Sequence, residues 1–130
     1  MANEFSGSGY LGTKPELKVV GDDQRKVADM RVYFDKPVLN TDTGEFTDQG
    51  GFWLDVSAWD HLAEDVVRLL TKGMRIKVEG SLKHNSWTDE QSGEERSKFT
   101  LYATDVTAYL GRIACIELKQ PTHEEKLNES

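Results

Sequence analysis

A single amphipathic helical pattern, at residues 60–73, stands in a chain whose other ordered segments alternate as strands. Asp60 is its predicted N-cap and Gly73 the predicted residue that ends it. Apolar residues recur within it at helical spacing, at Leu62, Val66, Leu69 and Leu70. The chain is therefore predicted to adopt a β-fold that contains one helix at a defined place in the strand order.

Five strands are predicted around this helix, at residues 5–11 with an extension at 17–20, 26–35, 52–59, 74–83 and 96–106. Three strands, a helix and two more strands is the order of the OB-fold, a partly open five-stranded barrel. A generic β-sandwich has no need of the helix. We therefore expect an all-β, five-stranded OB-fold barrel with one helix between strands three and four. Residues 39–51 are predicted as a long polar loop.

Length and composition predict one soluble domain at residues 1–112, followed by a short polar, flexible tail at residues 113–130. There is no signal-peptide pattern and no run of apolar residues long enough to span a membrane. The single cysteine gives no internal disulfide, so a cytoplasmic location is expected. The net charge of −7 argues against nucleic-acid binding unless the cations are gathered on one face.

The segment at residues 52–59 places two tryptophans, Trp53 and Trp59, on the same side of a strand as Asp55 and Ser57. Its other side is entirely apolar, so the largest aromatic rings face outward. Five aromatic residues are predicted to stack on unpaired bases: Trp53, Trp59, Trp87, Tyr33 and Tyr102. Six cations on the same polar side are predicted to bind phosphates: Arg31, Arg75, Lys77, Lys83, Arg96 and Lys98.

Interleaved aromatics and cations are what single-stranded nucleic acid requires, because unpaired bases expose their faces and each phosphate carries a negative charge. Each residue also has a structural interpretation. A single outward tryptophan commonly packs under a loop or in a subunit interface, a tyrosine can cap a barrel rim, and a row of cations can be a solvated strand face. The combination of Trp53, Trp59 and Trp87 with the basic side of strand four favours stacking.

Catalysis has little support in the sequence. His61, His84 and His123 have no metal-ligand spacing, and no nucleophile or metalloprotease motif occurs. Cys115 is interpreted as a small buried apolar residue. We therefore expect no catalytic residue, no metal and no cofactor.

Residues 9–112 resemble bacterial single-stranded DNA-binding proteins. The matching segments, in order, are GYLGTKPELK, DTGEF, WLDVSAWDHLAE, LTKGMRIKVEGSLK and SWTDEQSGEER. The resemblance implies a homo-oligomer, a tetramer more often than a dimer, that wraps single-stranded DNA without sequence preference. By position, Trp53 and Trp87 match stacking tryptophans, and Trp59 stands where the family commonly has a stacking phenylalanine.

Two departures from the family pattern affect this expectation. Val38 stands near a position where the family often has another tryptophan. The chain closes in KLNES, whereas many members end in an acidic tip with Pro-Phe, so recruitment of repair enzymes through such a tip is not expected. The alternative is an OB-fold interaction module like the primosomal protein PriB, a dimer with weaker DNA binding. The three matched tryptophan positions favour the first interpretation.

Overall fold

A computed structural model describes residues 3–119 of the chain. This part contains β1 Glu4–Leu11, β2 Glu16–Val20, β3 Arg25–Phe34, β4 Pro37–Leu39, β5 Phe46–Asp48, β6 Phe52–Trp59, α1 Asp60–Leu69, β7 Arg75–Thr88, β8 Glu95–Ala108 and a 3-10 turn at Leu110–Arg112.

Five strands close into a barrel in the order β1, β7, β8, β6 and β3, because β1 pairs with both β7 and β3. β1 pairs with the end of β3, at residues 32–34, and β2 pairs with its beginning, at residues 25–29. Neighbouring strands are antiparallel except β6 and β8, which are parallel. With α1 between β6 and β7, this topology confirms the predicted OB-fold, and β2 is the predicted extension of the first strand.

The core fills the barrel interior with the apolar residues that strand alternation directs inward. Every barrel strand contributes, and the largest fully buried side chains are Leu11, Val32, Val56, Ile76, Val78 and Leu101. Full burial of such a side chain stabilises the fold by about 1.5–3 kcal/mol. Ala63 and Val66 of α1 are also buried, and the helix packs against β3 and β6.

The predicted limits of the helix are wrong at both ends. Asp60 is the first helical residue and not the N-cap, and it has a φ of 57°, a left-handed conformation that aspartate tolerates. The helix ends at Leu69, which is exposed, whereas Leu70 is buried. Gly73 lies in the turn that leads into β7, with a φ of 92° and its N–H bonded to the carbonyl of Leu11.

The segment predicted as a polar loop at residues 39–51 contains structure of its own. β4 and β5 form a separate two-stranded sheet, in which Leu39 lies opposite Phe46 and Pro37 opposite Asp48. Asn40 and Glu45 close the turn with a backbone hydrogen bond. The period-two signal was missed because each strand has only three residues.

β7 and β8 are longer than predicted and extend together past the barrel, as far as the pair Thr88 and Glu95. Phe99, which alternation directs inward, is 52% exposed because it lies on this extension, beyond the other strands. Thr100, which alternation directs outward, is buried at the point where β6 meets β8. Cys115 is exposed, so its interpretation as a buried residue is wrong.

The division between domain and tail at residue 112 stays a prediction. Residues 113–119 follow the 3-10 turn without a helix or strand, and residues 120–130 of the predicted tail lie outside the described residues. Between residues 3 and 119 no helix has the length and apolar character needed to cross a membrane.

Candidate nucleic-acid interface

One outer side of the barrel collects most of the predicted site residues, across β3, β6, β8 and the β7–β8 extension. Strand register sets their neighbours: Tyr33 lies opposite Trp53, and Trp87 lies opposite Arg96. We call this surface the stacking face and define it by Arg31, Tyr33, Trp53, Lys83, Trp87, Arg96 and Lys98. Register and the ion pairs of Asp55 bring Arg31, Trp53 and Lys98 together, and register places Trp87 opposite Arg96 on the extension.

Trp53 has the geometry of a stacking platform. Its side chain is 51% exposed, and its ring lies 5.3 Å from that of Tyr33 at an interplanar angle of 59°. The guanidinium of Arg31 lies 5.6 Å from the indole centre. Gly12 leaves room for the indole, because a Cβ there would lie 2.4 Å from a carbon of the six-membered ring. The ring is therefore held on one side and accessible on another.

Tyr33 is held in place by the β4–β5 hairpin. Its hydroxyl donates a hydrogen bond to Asp48, which is the main reason that the pKa of Tyr33 is raised and the pKa of Asp48 lowered from their ordinary values. The other oxygen of Asp48 accepts a hydrogen bond from the backbone N–H of Lys36 at 2.9 Å. The hairpin therefore fixes the tyrosine beside Trp53.

Asp55 lies at the centre of the stacking face and binds two of its cations. One carboxylate oxygen lies 3.2 Å from Nη1 of Arg31, and the other lies 3.3 Å from Nζ of Lys98. All three side chains are at least one-third exposed, so the pairs are weak and a phosphate can compete for the cations. In the protein alone, Asp55 holds both cations beside Trp53.

The β7–β8 extension carries the second exposed tryptophan. Trp87 is 46% exposed and lies close to the tip of the extension. Arg96, opposite it, binds Asp89 in the connecting loop, with an Nε–Oδ2 distance of 3.2 Å. Trp87 and Trp53 stand on different strands, so each can receive a different base.

Two further predicted stacking residues are partly covered by cations of the protein itself. The Nζ of Lys83 lies 4.7 Å above the ring of Tyr102, which is half-buried. The guanidinium of Arg25 lies 4.7 Å from the ring of Trp59 and also binds Asp60. Trp59 is half-buried at the helix end of β6, about 20 Å along the strand from Trp53. Tyr102 and Trp59 thus have less free ring surface than Trp53 and Trp87.

Arg75 and Lys77 lie on the far side of β1 from Tyr33: Arg75 stands opposite Tyr10, and Tyr10 stands opposite Tyr33. Arg75 donates to both carboxylate oxygens of Asp35, at 3.1 and 3.2 Å, and its guanidinium lies over the ring of Tyr10 at 4.7 Å. Lys77 binds Glu79, two residues further along β7. Both cations lie on the part of β7 that pairs with β1, and their role in phosphate binding stays a prediction.

Sequence reasoning missed three residues that shape the stacking face: Gly12, Asp48 and Asp55. Gly12 provides space for an indole that is distant in the sequence, and Asp48 lies in a segment predicted to be a loop. Asp55 was identified as a carboxylate among cations, but the pattern gave no sign that it binds two of them. Each role depends on contacts between separate strands, which periodicity does not report.

Comparison with known proteins identifies the family of the chain. The model of the Single-strand binding protein family matches residues 2–109. A single-stranded DNA-binding protein of Corynebacterium glutamicum is 34% identical over 98 residues, which is 75% of this chain and 43% of that protein. Single-stranded DNA-binding protein 2 of Streptomyces coelicolor is 33% identical over 102 residues, 78% of this chain and 50% of that protein. The chain thus spans about half the length of these relatives.

Two solved structures share the fold. A small single-stranded DNA-binding protein from Streptomyces coelicolor superposes with a TM-score of 0.74 at 20% identity, over 86% of this chain and 98% of the other. A Plasmodium falciparum SSB in complex with ssDNA superposes with a TM-score of 0.67 at 21% identity, over 84% and 96% of the two chains. Because the family match covers most of the sequence, the chain belongs to the single-strand binding protein family.

Proposed function

We propose that this chain binds and protects single-stranded DNA without sequence preference during replication, recombination or repair, as a binding protein with no catalytic step and no cofactor. The observation that carries the proposal is the stacking face, on which exposed indoles alternate with cations. Family membership and the names of the relatives point to the same ligand and favour DNA.

The mechanism combines two interactions that do not depend on base identity. Each base that stacks on an aromatic ring contributes about 1–3 kcal/mol, and any base has a face to offer. Arg31, Lys98 and Arg96 neutralise phosphates between the stacked bases and release counterions. Duplex DNA keeps its base faces inside the helix, so Trp53 and Trp87 select the single strand.

The acidic net charge is compatible with this mechanism because the carboxylates that contact the stacking face hold its cations in partly exposed ion pairs. Asp55 pairs with Arg31 and Lys98, and Asp89 pairs with Arg96. Exposed pairs of this kind are weak, so a phosphate can replace the carboxylate. The carboxylates of helix α1 pair with cations outside the stacking face.

We also propose a homo-oligomer in the cytoplasm, with a tetramer favoured over a dimer and no membrane partner. Family membership supports the assembly, and Leu17 and Val19 leave apolar surface exposed on edge strand β2. A PriB-like dimeric interaction module with weak DNA binding is not favoured, since the family match and the two accessible tryptophans point to strand binding. Light scattering distinguishes a tetramer from a dimer.

A titration with labelled oligonucleotides tests the ligand. We expect oligo-dT to quench the intrinsic tryptophan fluorescence to saturation, with an affinity that falls as salt rises and with much weaker binding to duplex of equal length. Measurement of both ligands at several salt concentrations gives the selectivity and the number of phosphates neutralised. Equal affinity for duplex and single strand would refute the proposal.

Replacing Asp55 by asparagine is expected to strengthen binding. The change releases Arg31 and Lys98 from their ion pairs, so we expect an affinity for oligo-dT about three- to tenfold higher at low salt and a steeper salt dependence. The matched control is Asp65→Asn, which removes an equal charge from the Asp65–Arg68 pair on α1. Equal effects of the two variants would mean that Asp55 acts only through net charge.

A further inference from the structure

A cleft opens beside the stacking face where two barrel strands separate. β6 and β8 pair only at Asp55–Ser57 with Thr100–Tyr102 within the described residues. Toward the start of β6 the strands diverge and leave a cavity of about 440 Å³. That volume falls within the range of ligand pockets, about 300–1,000 Å³.

Aromatic rings form the floor of this cleft. Phe52 is 46% exposed although alternation directs it inward, and it packs edge-on against Phe5 at 6.3 Å between ring centres. Phe99, on the other wall, is 52% exposed and packs against His84 at 4.8 Å. Each ring is therefore supported by the protein on one side and open to the cleft on another.

The mouth of the cleft belongs to the stacking face. Trp53, Arg31 and Lys98 line the cavity together with the phenylalanines, and so does Asp55, which pairs with both cations. A ligand that enters here therefore has an indole and two cations at the entrance, the cations in weak pairs that a phosphate can replace, and apolar rings inside. This order of groups fits a nucleotide, whose flat base has apolar faces and whose phosphates lie outside the base.

We propose that one base of the bound strand inserts into this cleft against Phe99 and Phe52, while its neighbour stacks on Trp53. The proposal rests on the proposed function and adds a binding position inside the barrel wall. Apolar side chains of a protein partner would fill the floor but would gain nothing from the two cations at the entrance. A nucleobase uses both parts of the cleft.

Variants of Phe99 test the inserted base. We expect Phe99→Ala to lower the affinity for oligo-dT about tenfold and Phe99→Leu, which keeps apolar volume but lacks the ring, to lower it by a smaller factor. Leu69→Ala, an exposed apolar truncation on α1, serves as the control that leaves binding unchanged. A strand of equal length whose sugars carry no bases should bind the wild type and Phe99→Ala equally, since no base can enter the cleft.

The outcomes separate this inference from the proposed function. If the wild type fails to bind oligo-dT, the proposed function itself is wrong. If the wild type binds and Trp53→Ala weakens binding, but both Phe99 variants bind as the wild type does, the cleft holds no base. If Phe99→Ala loses as much affinity for the strand without bases as for oligo-dT, the inference is also overturned. A change in the sedimentation of a Phe99 variant without a change in its DNA affinity would indicate a contact between copies of the chain, and would overturn the inference too. Thermal unfolding shows whether each variant is folded. If Phe99→Ala does not fold, Phe99→Leu still tests the proposal.

Discussion

Replacement of both Trp53 and Trp87 by alanine is expected to weaken the binding of oligo-dT by about 2–6 kcal/mol, from about 1–3 kcal/mol for each stacked base. Both indoles are about half exposed and lie on different strands of the stacking face, so each loss removes a separate platform. Fluorescence anisotropy with a labelled strand measures the change, because it does not depend on the tryptophans removed.

Phenylalanine provides the matched control for this double variant. The change of both residues to phenylalanine keeps an aromatic face at each position and should recover most of the affinity. Because both side chains are exposed, we expect the thermal midpoint of the alanine variant to stay close to that of the wild type. Unchanged affinity in the alanine variant would remove the stacking mechanism and leave only phosphate neutralisation.

The second large effect is expected at Gly80, where the register of β7 and β8 shifts. A Cβ at this position would lie 2.1 Å from the carbonyl oxygen of Tyr102 and 2.9 Å from the Cα of Ala103. Both are backbone atoms of β8, so no side-chain rotation can relieve the clash. Gly80→Ala must separate two strands of the barrel, and we expect a loss of about 3 kcal/mol in the free energy of unfolding.

Urea denaturation of Gly80→Ala and Gly111→Ala measures this effect against a control. Among residues 3–119, a Cβ placed on Gly111 meets no atom within 4 Å apart from those of its own local backbone and chain neighbours. Gly111→Ala should therefore leave the free energy of unfolding within about 0.5 kcal/mol of the wild type. Equal stability of the two variants would show that β8 can move away from Gly80 without cost.

These predictions differ in how far the sequence alone supports them. The outward position of Trp53 follows from strand alternation in residues 52–59, and the structure confirms it. The continuation of β7 to Trp87 was not predicted, because the strand was expected to end at Lys83; alternation indicates only that Trp87 would face the same side as the basic residues if the strand continued. In contrast, a glycine within a strand is typical of a bulge or a close backbone approach, but the sequence does not show that the register shift brings Gly80 against Tyr102.

Two of the cations show that the sequence does not predict which residues a side chain will contact. Arg75 and Lys98 have the same pattern in the sequence, each a basic residue on the polar side of a strand. Register places Lys98 beside Asp55 and Trp53, while Arg75 is engaged by Asp35 and covered by Tyr10. Alternation determines which side of a strand a residue faces, but pairing with distant strands determines its neighbours.

The amino-acid sequence by itself determined the barrel topology, the place of the helix and the outward direction of the indoles. These features depend on local periodicity and on the order of elements along the chain, and both can be read from the amino-acid sequence alone. The tertiary structure decided that Asp55 holds two cations, that Tyr33 is fixed by the β4–β5 hairpin and that Phe52 and Phe99 line an open cleft. Those features arise from contacts between residues far apart in the chain, and such contacts exist only once the strands have paired.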